Sequence, residues 1–149
     1  MGLQTGRVFY EALCQDSELV QAVGGRIYST AIDIPPTEED NTPLPYLILT
    51  IDGLRNDPSD KEGFEGHFDT LTISVEVAGE DTDGVAALAD HVRDTVRDYF
   101  ERILSGEVQS DNEHLLPEDF TDVSMSGIQW DWEKPCYWTT ISWTCDVKR

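Results

Sequence analysis

Three histidines, three cysteines and 30 carboxylates are the side chains of this 149-residue sequence that could bind a metal, attack a carbonyl or move a proton. His67 and Asp69, two residues apart, would share one strand face and could chelate a cation. A transition-metal site, however, needs three or four such ligands. His91 falls beside Val92 in a helical pattern and reads as a boundary residue; His114 stands alone. Asn56-Asp57-Pro58-Ser59-Asp60 lacks both the spacing and the closing glutamate of an EF-hand. Cys14, Cys136 and Cys145 form no CxxC pair and are odd in number, which fits reduced, packed thiols. There is no G-x-S-x-G, no H-E-x-x-H, no Walker loop and no G-x-G-x-x-G after a strand. Gly24-Gly25 follows a helical stretch and reads as its stop. With so many carboxylates some pairs are close by chance, so a hydrolytic dyad cannot be read from spacing. The expectation is a protein without catalytic residues, metal or cofactor.

The aromatic residues are the better candidates for recognition. Trp130, Trp132 and Trp143 fall where sheet-core anchors are expected. Trp138 has the opposite parity on its strand, so it is either an interface anchor or covered by the segment 107–119. The core-facing alternation accounts for only one sheet face, which leaves Phe64 or Phe68, with Trp138, near surfaces that a neighbour could cover. Trp138, Phe64 and Phe68 are therefore the candidate partner-interface residues.

These residues need a scaffold, and the hydrophobic periods supply one. Leu3 to Leu13 repeats at helical spacing, and Asp16 is a good N-cap for a second short helix carrying Leu19, Val20 and Val23. Ile27 and Tyr28 suggest a brief extended piece. Proline-rich residues 35–45 connect to an apolar strand from Pro45 to Ile51. Asp52 to Gly66, rich in charge, reads as a long solvated excursion. From Phe68 to Ala78 the alternation is clean: Leu71, Ile73, Val75 and Val77 face one way. Asp81 opens a long amphipathic helix ending near Leu104, with surface pairs Asp94–Arg97 and Asp98–Arg102. Glu107 to Asp119 reads as an exposed acidic loop. Two more strands follow, with a phase slip at Ser126-Gly127 that a β-bulge would explain. The predicted fold class is α+β: an antiparallel or mixed sheet of about four strands, with one long and one or two shorter helices on one face. The order is α-α-β-β-α-β-β, in a single domain spanning residues 1–149. Leu71 to Val77 should pack on Leu88, Val92, Val96 and Phe100.

Charge then narrows the function. Ten basic against 30 acidic residues leave a net charge of -20. That argues against nucleic-acid binding, which needs basic patches to displace counterions, and against docking on anionic lipid. No apolar run approaches the length of a membrane span or a signal peptide, so the expected setting is the cytoplasm.

The segment Phe9-Tyr10-Glu11-Ala12-Leu13, followed by Asp16 to Val23-Gly24-Gly25-Arg26-Ile27-Tyr28, resembles the opening of the small tail-completion proteins of long-tailed phages and prophages. Leu44-Pro45-Tyr46-Leu47-Ile48 and Ala86-Ala87-Leu88-Ala89-Asp90-His91-Val92-Arg93 match later parts of that family's pattern. Segments 52–66 and 107–119 are long for it, and the doubled-tryptophan strand departs from it. The resemblance implies a fold similar to tail terminators and head–tail joining proteins, which form rings, often hexamers, at the head-proximal end of the tail tube. The implied partners are further copies of the chain, tail-tube protein and head-connector protein, and the implied destination is the virion. It implies no catalytic residues. Two other readings stand beside it: an acidic inhibitor or immunity protein covering a basic partner, and a small carboxylate-based hydrolase.

Overall fold

The computed structural model of the chain describes residues 2–34, 43–56 and 68–148. A single 3-10 turn at Gly2–Thr5 leads into α1 (Gly6–Gln15) and α2 (Ser17–Ala22). Strand β1 (Ile27–Ser29) follows, then β2 (Tyr46–Asn56) and β3 (Phe68–Gly79). Helix α3 (Thr82–Leu104) precedes β4 (Asp119–Met125), β5 (Gln129–Asp131) and β6 (Cys136–Lys148). The helix starts are set by carboxylates. Asp16 accepts from the Glu18 and Leu19 amides at 3.0 and 3.1 Å, and Asp81 accepts from the Gly84 amide at 2.6 Å. Each thereby satisfies donors that a helix N-terminus leaves without intrahelical partners.

All six strands form one sheet in the order β1-β2-β3-β6-β4, with β5 pairing β6 beside β4. This corrects the expected four. Ile27–Ser29 pairs in parallel with Leu47–Leu49, which makes the sheet mixed. The doubled-tryptophan strand is split in two. Met125 pairs Ile141, whereas Gln129 pairs Trp138, so one extra residue is accommodated between them. Ser126 holds this break: its Oγ accepts from the Thr140 amide at 3.0 Å, and Thr139 Oγ1 donates to its carbonyl at 2.8 Å. The phase slip read at Ser126-Gly127 is such a bulge.

The helices cover one face of the sheet. Ile73, Val75, Val77, Ile141 and Trp143 are buried there with Val8, Phe9, Leu13, Leu88, Val92, Val96 and Phe100. Phe9 is its aromatic centre, with ring centroids 5.0 Å from Phe100 and 5.4 Å from Trp143 in edge-to-face geometry. Leu71 departs from the expected packing. It is buried with Cys145 and Val147 in a separate cluster rather than with the helix residues.

Two segments expected as loops are partly structured. Asp52 to Asn56 continue β2, with a register shift between Ile51 and Gly53, while 57–67 lie outside the described residues. The segment 107–119 is not simply exposed, for Leu115 is buried in the main core with Val108 and Leu116 packed against it. Asp98 is met by Arg97 at 3.3 Å instead of by Arg102.

Candidate functional site

The most distinctive stretch of sequence, Val23 to Tyr28, builds a corner. Gly24 and Gly25 take φ values of 58° and 75°, a region that glycine enters without a side-chain penalty. The chain thereby reverses out of α2, and the Arg26 guanidinium reaches across to the strand entry. It donates to the Pro45 carbonyl at 3.0 Å and the Leu44 carbonyl at 3.2 Å. A side chain at Gly24 would collide with that guanidinium, since a Cβ there lies 2.6 Å from Arg26 Nη1. The glycines, the arginine and the Leu44-Pro45-Tyr46 segment thus form one structural device. Its function is positional.

Beside this corner lies a groove of about 420 Å³, lined by Ala22, Leu44, Pro45, Gly84, Leu88 and His91. His91 Nε2 is 2.9 Å from Asp16 Oδ2, and Thr95 Oγ1 donates to the same oxygen at 2.6 Å. Burial pushes the Asp16 carboxyl up, but the hydrogen bonds from Thr95, the Leu19 amide and His91 prevail and hold it below its ordinary range. His91 lines the groove whereas its partner Asp16 does not, and the lining includes no serine, threonine or cysteine. A nucleophilic triad is not assembled.

Glu11 organises the acidic segment after α3. It accepts from Tyr99 Oη at 2.7 Å, from Asn112 Nδ2 at 3.2 Å and from Ser110 Oγ. Burial, reinforced by this carboxylate, pushes the Tyr99 hydroxyl up to about 12.

Among the described residues, no helix packs on the other face of the sheet. Tyr28, Tyr46, Ile48, Ala78, Cys136 and Trp138 cluster at one end of it. Trp138 is half-buried there, on the opposite side of the sheet from the core that Leu115 joins, so segment 107–119 is not its cover. Lys134 Nζ lies 4.4 Å from the Tyr46 ring centroid, a cation–π contact. Burial raises the Glu76 carboxyl, against the pull of Lys134 and with the help of Asp131. Further along this face Ser74 donates to Asp52 and lies 3.0 Å from Ser142.

Of the other two candidate interface residues, Phe68 opens β3 at the border of exposure, and Phe64 lies outside the described residues. His67 does too. Asp69, its expected chelating partner, is buried. Among the described residues no group of three or more His, Cys, Asp and Glu side chains is placed to hold a metal ion.

A run of exposed large apolar side chains lies elsewhere, on and beside β4 and β5. Val123, Met125, Ile128, Trp130 and Trp132 are all exposed. Val123 pairs Trp143, Met125 pairs Ile141 and Trp130 pairs Tyr137, so these side chains project on the helix-bearing side of the sheet. Trp132 is 85% exposed and stands edge-on to Trp130, their centroids 5.8 Å apart. The expectation that Trp130 and Trp132 anchor the core is corrected. Trp143 does so; the other two line an open margin.

No protein-family model matches the sequence, and no curated protein sequence matches it. Among solved structures, the chain is similar to one from the "Virion of native gene transfer agent (GTA) particle", with a TM-score of 0.55 and 15% identity. The similarity covers 97% of this chain and 94% of that one. The fold recurs in a virion. At this identity the likeness concerns architecture, and it runs nearly end to end in both chains.

Sequence reasoning located the open-face tryptophan but missed the β4–β5 margin. The missed signal was already present. A bulge that restores the phase puts Val123, Met125 and Trp130 on one face, and the three α-helices among the described residues leave these side chains exposed.

Proposed function

We propose that this chain is a structural subunit of a phage-type particle, a tail-completion or head–tail joining protein that associates with further copies of itself into a ring. The observation that carries this reading is the nearly end-to-end fold similarity to a chain of a virion particle. Three features support it. The sheet has a helix-free face and an apolar margin, both suited to protein neighbours. The groove lacks the parts of a nucleophilic site. A net charge of -20 suits a component that must stay clear of DNA phosphates passing close by. Tail-tube and head-connector proteins are the partners this reading implies, and six is the ring size suggested by the sequence resemblance.

The test is light scattering and electron microscopy across a salt and concentration series. Repulsion between copies carrying -20 each opposes assembly at low ionic strength, and salt screens it. Rings should therefore become more populated as salt rises. The protein should also fail to shift random duplex DNA at moderate salt. A strict monomer at high concentration and high salt, indifferent to tail-tube protein, would sink the ring and favour an acidic inhibitor of a basic partner. The charge favours that second reading.

A further inference from the structure

We propose that the outer edge of β4 and β5 is a docking site for an extended basic segment of a different protein, which adds to the sheet as a further strand. The edge is open: among the described residues β4 ends the sheet order, and no strand pairs its outer side. An edge of this kind offers unpaired backbone donors and acceptors to any extended chain.

The two faces of the edge state what that chain must look like. Val123, Met125 and Trp130 project to the helix-bearing side, with Trp132 packed against Trp130. Asp119, Asp122 and Asp131 pair Asp146, Thr144 and Cys136, which places their carboxylates on the opposite, helix-free side. One face is apolar and the other acidic. Between Arg102 and Lys134 the sequence has eight carboxylates and no Lys or Arg. Lys148 of β6 pairs Glu118 at 3.1 Å, just ahead of the edge, and no ion pair engages Asp119, Asp122 or Asp131 among the described residues. A strand with apolar and basic residues in alternation would meet both faces at once, because its own side chains alternate with the same period.

The same pattern disfavours a second copy on this edge. Two β4 strands side by side would bring like-charged carboxylates together across the new ladder. The opposite edge, β1, is only three residues long, and the neighbouring Arg26 is committed to Leu44 and Pro45. On α3, Arg93 and Arg97 are engaged by Asp90, Asp94 and Asp98. Edge strands are commonly protected by lysine or proline, and from Asp119 to Asp131 there is neither. Carboxylates repel another acidic copy and leave a basic strand free to enter.

The probe is a nine-residue synthetic peptide alternating lysine and valine, titrated into the full chain by calorimetry while amide hydrogen exchange is followed. Binding should slow exchange in 119–131 and should weaken at least tenfold between about 50 and 500 mM salt. A glutamate–valine peptide should not bind. Val123→Lys, at an exposed position, should weaken binding about tenfold, and so should Asp122→Lys on the other face. Alternate N-methylation of the lysine–valine peptide removes half its ladder donors and should abolish binding. Equal binding of the methylated peptide, or protection elsewhere in the chain, would reduce the effect to bulk charge attraction and overturn the proposal. Loss of self-association in Val123→Lys with peptide binding unchanged would assign the edge to a second copy, and would overturn it too. Ring formation should rise with salt and peptide docking should fall, so failure of one is separable from failure of the other.

Discussion

Trp143 and Trp130 project from the same side of one sheet, on strands that are hydrogen-bonded neighbours, yet their surroundings are opposite. Trp143 is 3% exposed and wedged against Phe9 beneath α1 and α3. Trp130 has Tyr137 at 4.8 Å and the projecting Trp132 at 5.8 Å for aromatic company, and it is exposed. Strand alternation decides which way a side chain points. Whether anything lies above it depends on how far the helical layer extends, and here that layer meets β4 at Phe120, which stacks on Phe100, but leaves Val123, Met125 and Trp130 exposed. A core and a margin are thus made from the same residue type and the same period. The margin is left exposed.

The sharpest way to break this contrast is to charge the covered side. Val92 is fully buried in α3 against the sheet. Val92→Asp should cost at least about 3 kcal/mol, because the carboxylate finds no partner there. Denaturant titration reads this directly. A near-normal unfolding midpoint would remove the two-layer account. Trp143→Ala should rank close behind, at about 3–5 kcal/mol, since the cavity it leaves sits under packed rings.

The corner at Arg26 should respond less. Arg26→Ala deletes two bonds to backbone carbonyls, a loss of about 1–3 kcal/mol for charged donors. Arg26→Lys should recover only part of it, because one ammonium cannot reproduce the guanidinium geometry. Full rescue by lysine would show that the fork geometry does not matter there.

A pH experiment sharpens the same side of the comparison. The Asp16 carboxyl is held below its ordinary 3.8 by Thr95, the Leu19 amide and His91, against the upward push of burial. A depressed folded-state value means that its contribution is complete above about pH 3.8 and disappears as pH falls through the lower folded value. Asp16→Asn keeps a capping oxygen and removes the titration. Its stability should therefore fall less steeply than that of the natural protein as acid is added below pH 3.8. Parallel acid limbs would mean that Asp16 is not what the helices lose first.

Much of this architecture was legible because it is local. The caps at Asp16 and Asp81, the Gly24-Gly25 stop, the alternation of β3 and the bulge at Ser126-Gly127 all follow from short-range chemistry. What escaped was long-range. The pairing of Ile27–Ser29 with Leu47–Leu49 is too brief to show a period, and Leu71 left its expected cluster because it lies at the end of the strand away from Val77 and packs with Cys145 and Val147. Glu11 was one helix carboxylate among 30 acidic residues, yet it ties Tyr99, Ser110 and Asn112 together. No spacing rule links position 11 to position 110. The candidate site suffered most, since the edge residues were assigned to the core by their type.

The smallest expected effect on stability is the one that tests the margin. Trp132→Ser removes the most exposed large apolar side chain among the described residues, which stands edge-on to Trp130. Because the indole is already solvated, the change in unfolding free energy should stay within about 0.5 kcal/mol. Trp143→Ser, the same chemistry one strand away, should cost several kcal/mol more, since it leaves a cavity and buries a hydroxyl. The two variants share fold, strand direction and residue type, so the difference isolates cover from orientation. If Trp132→Ser were as damaging as Trp143→Ser, the margin would belong to the core of the isolated chain and would have no surface to offer a partner. If it left stability intact but abolished association with other proteins, its indole would be kept for contact between molecules.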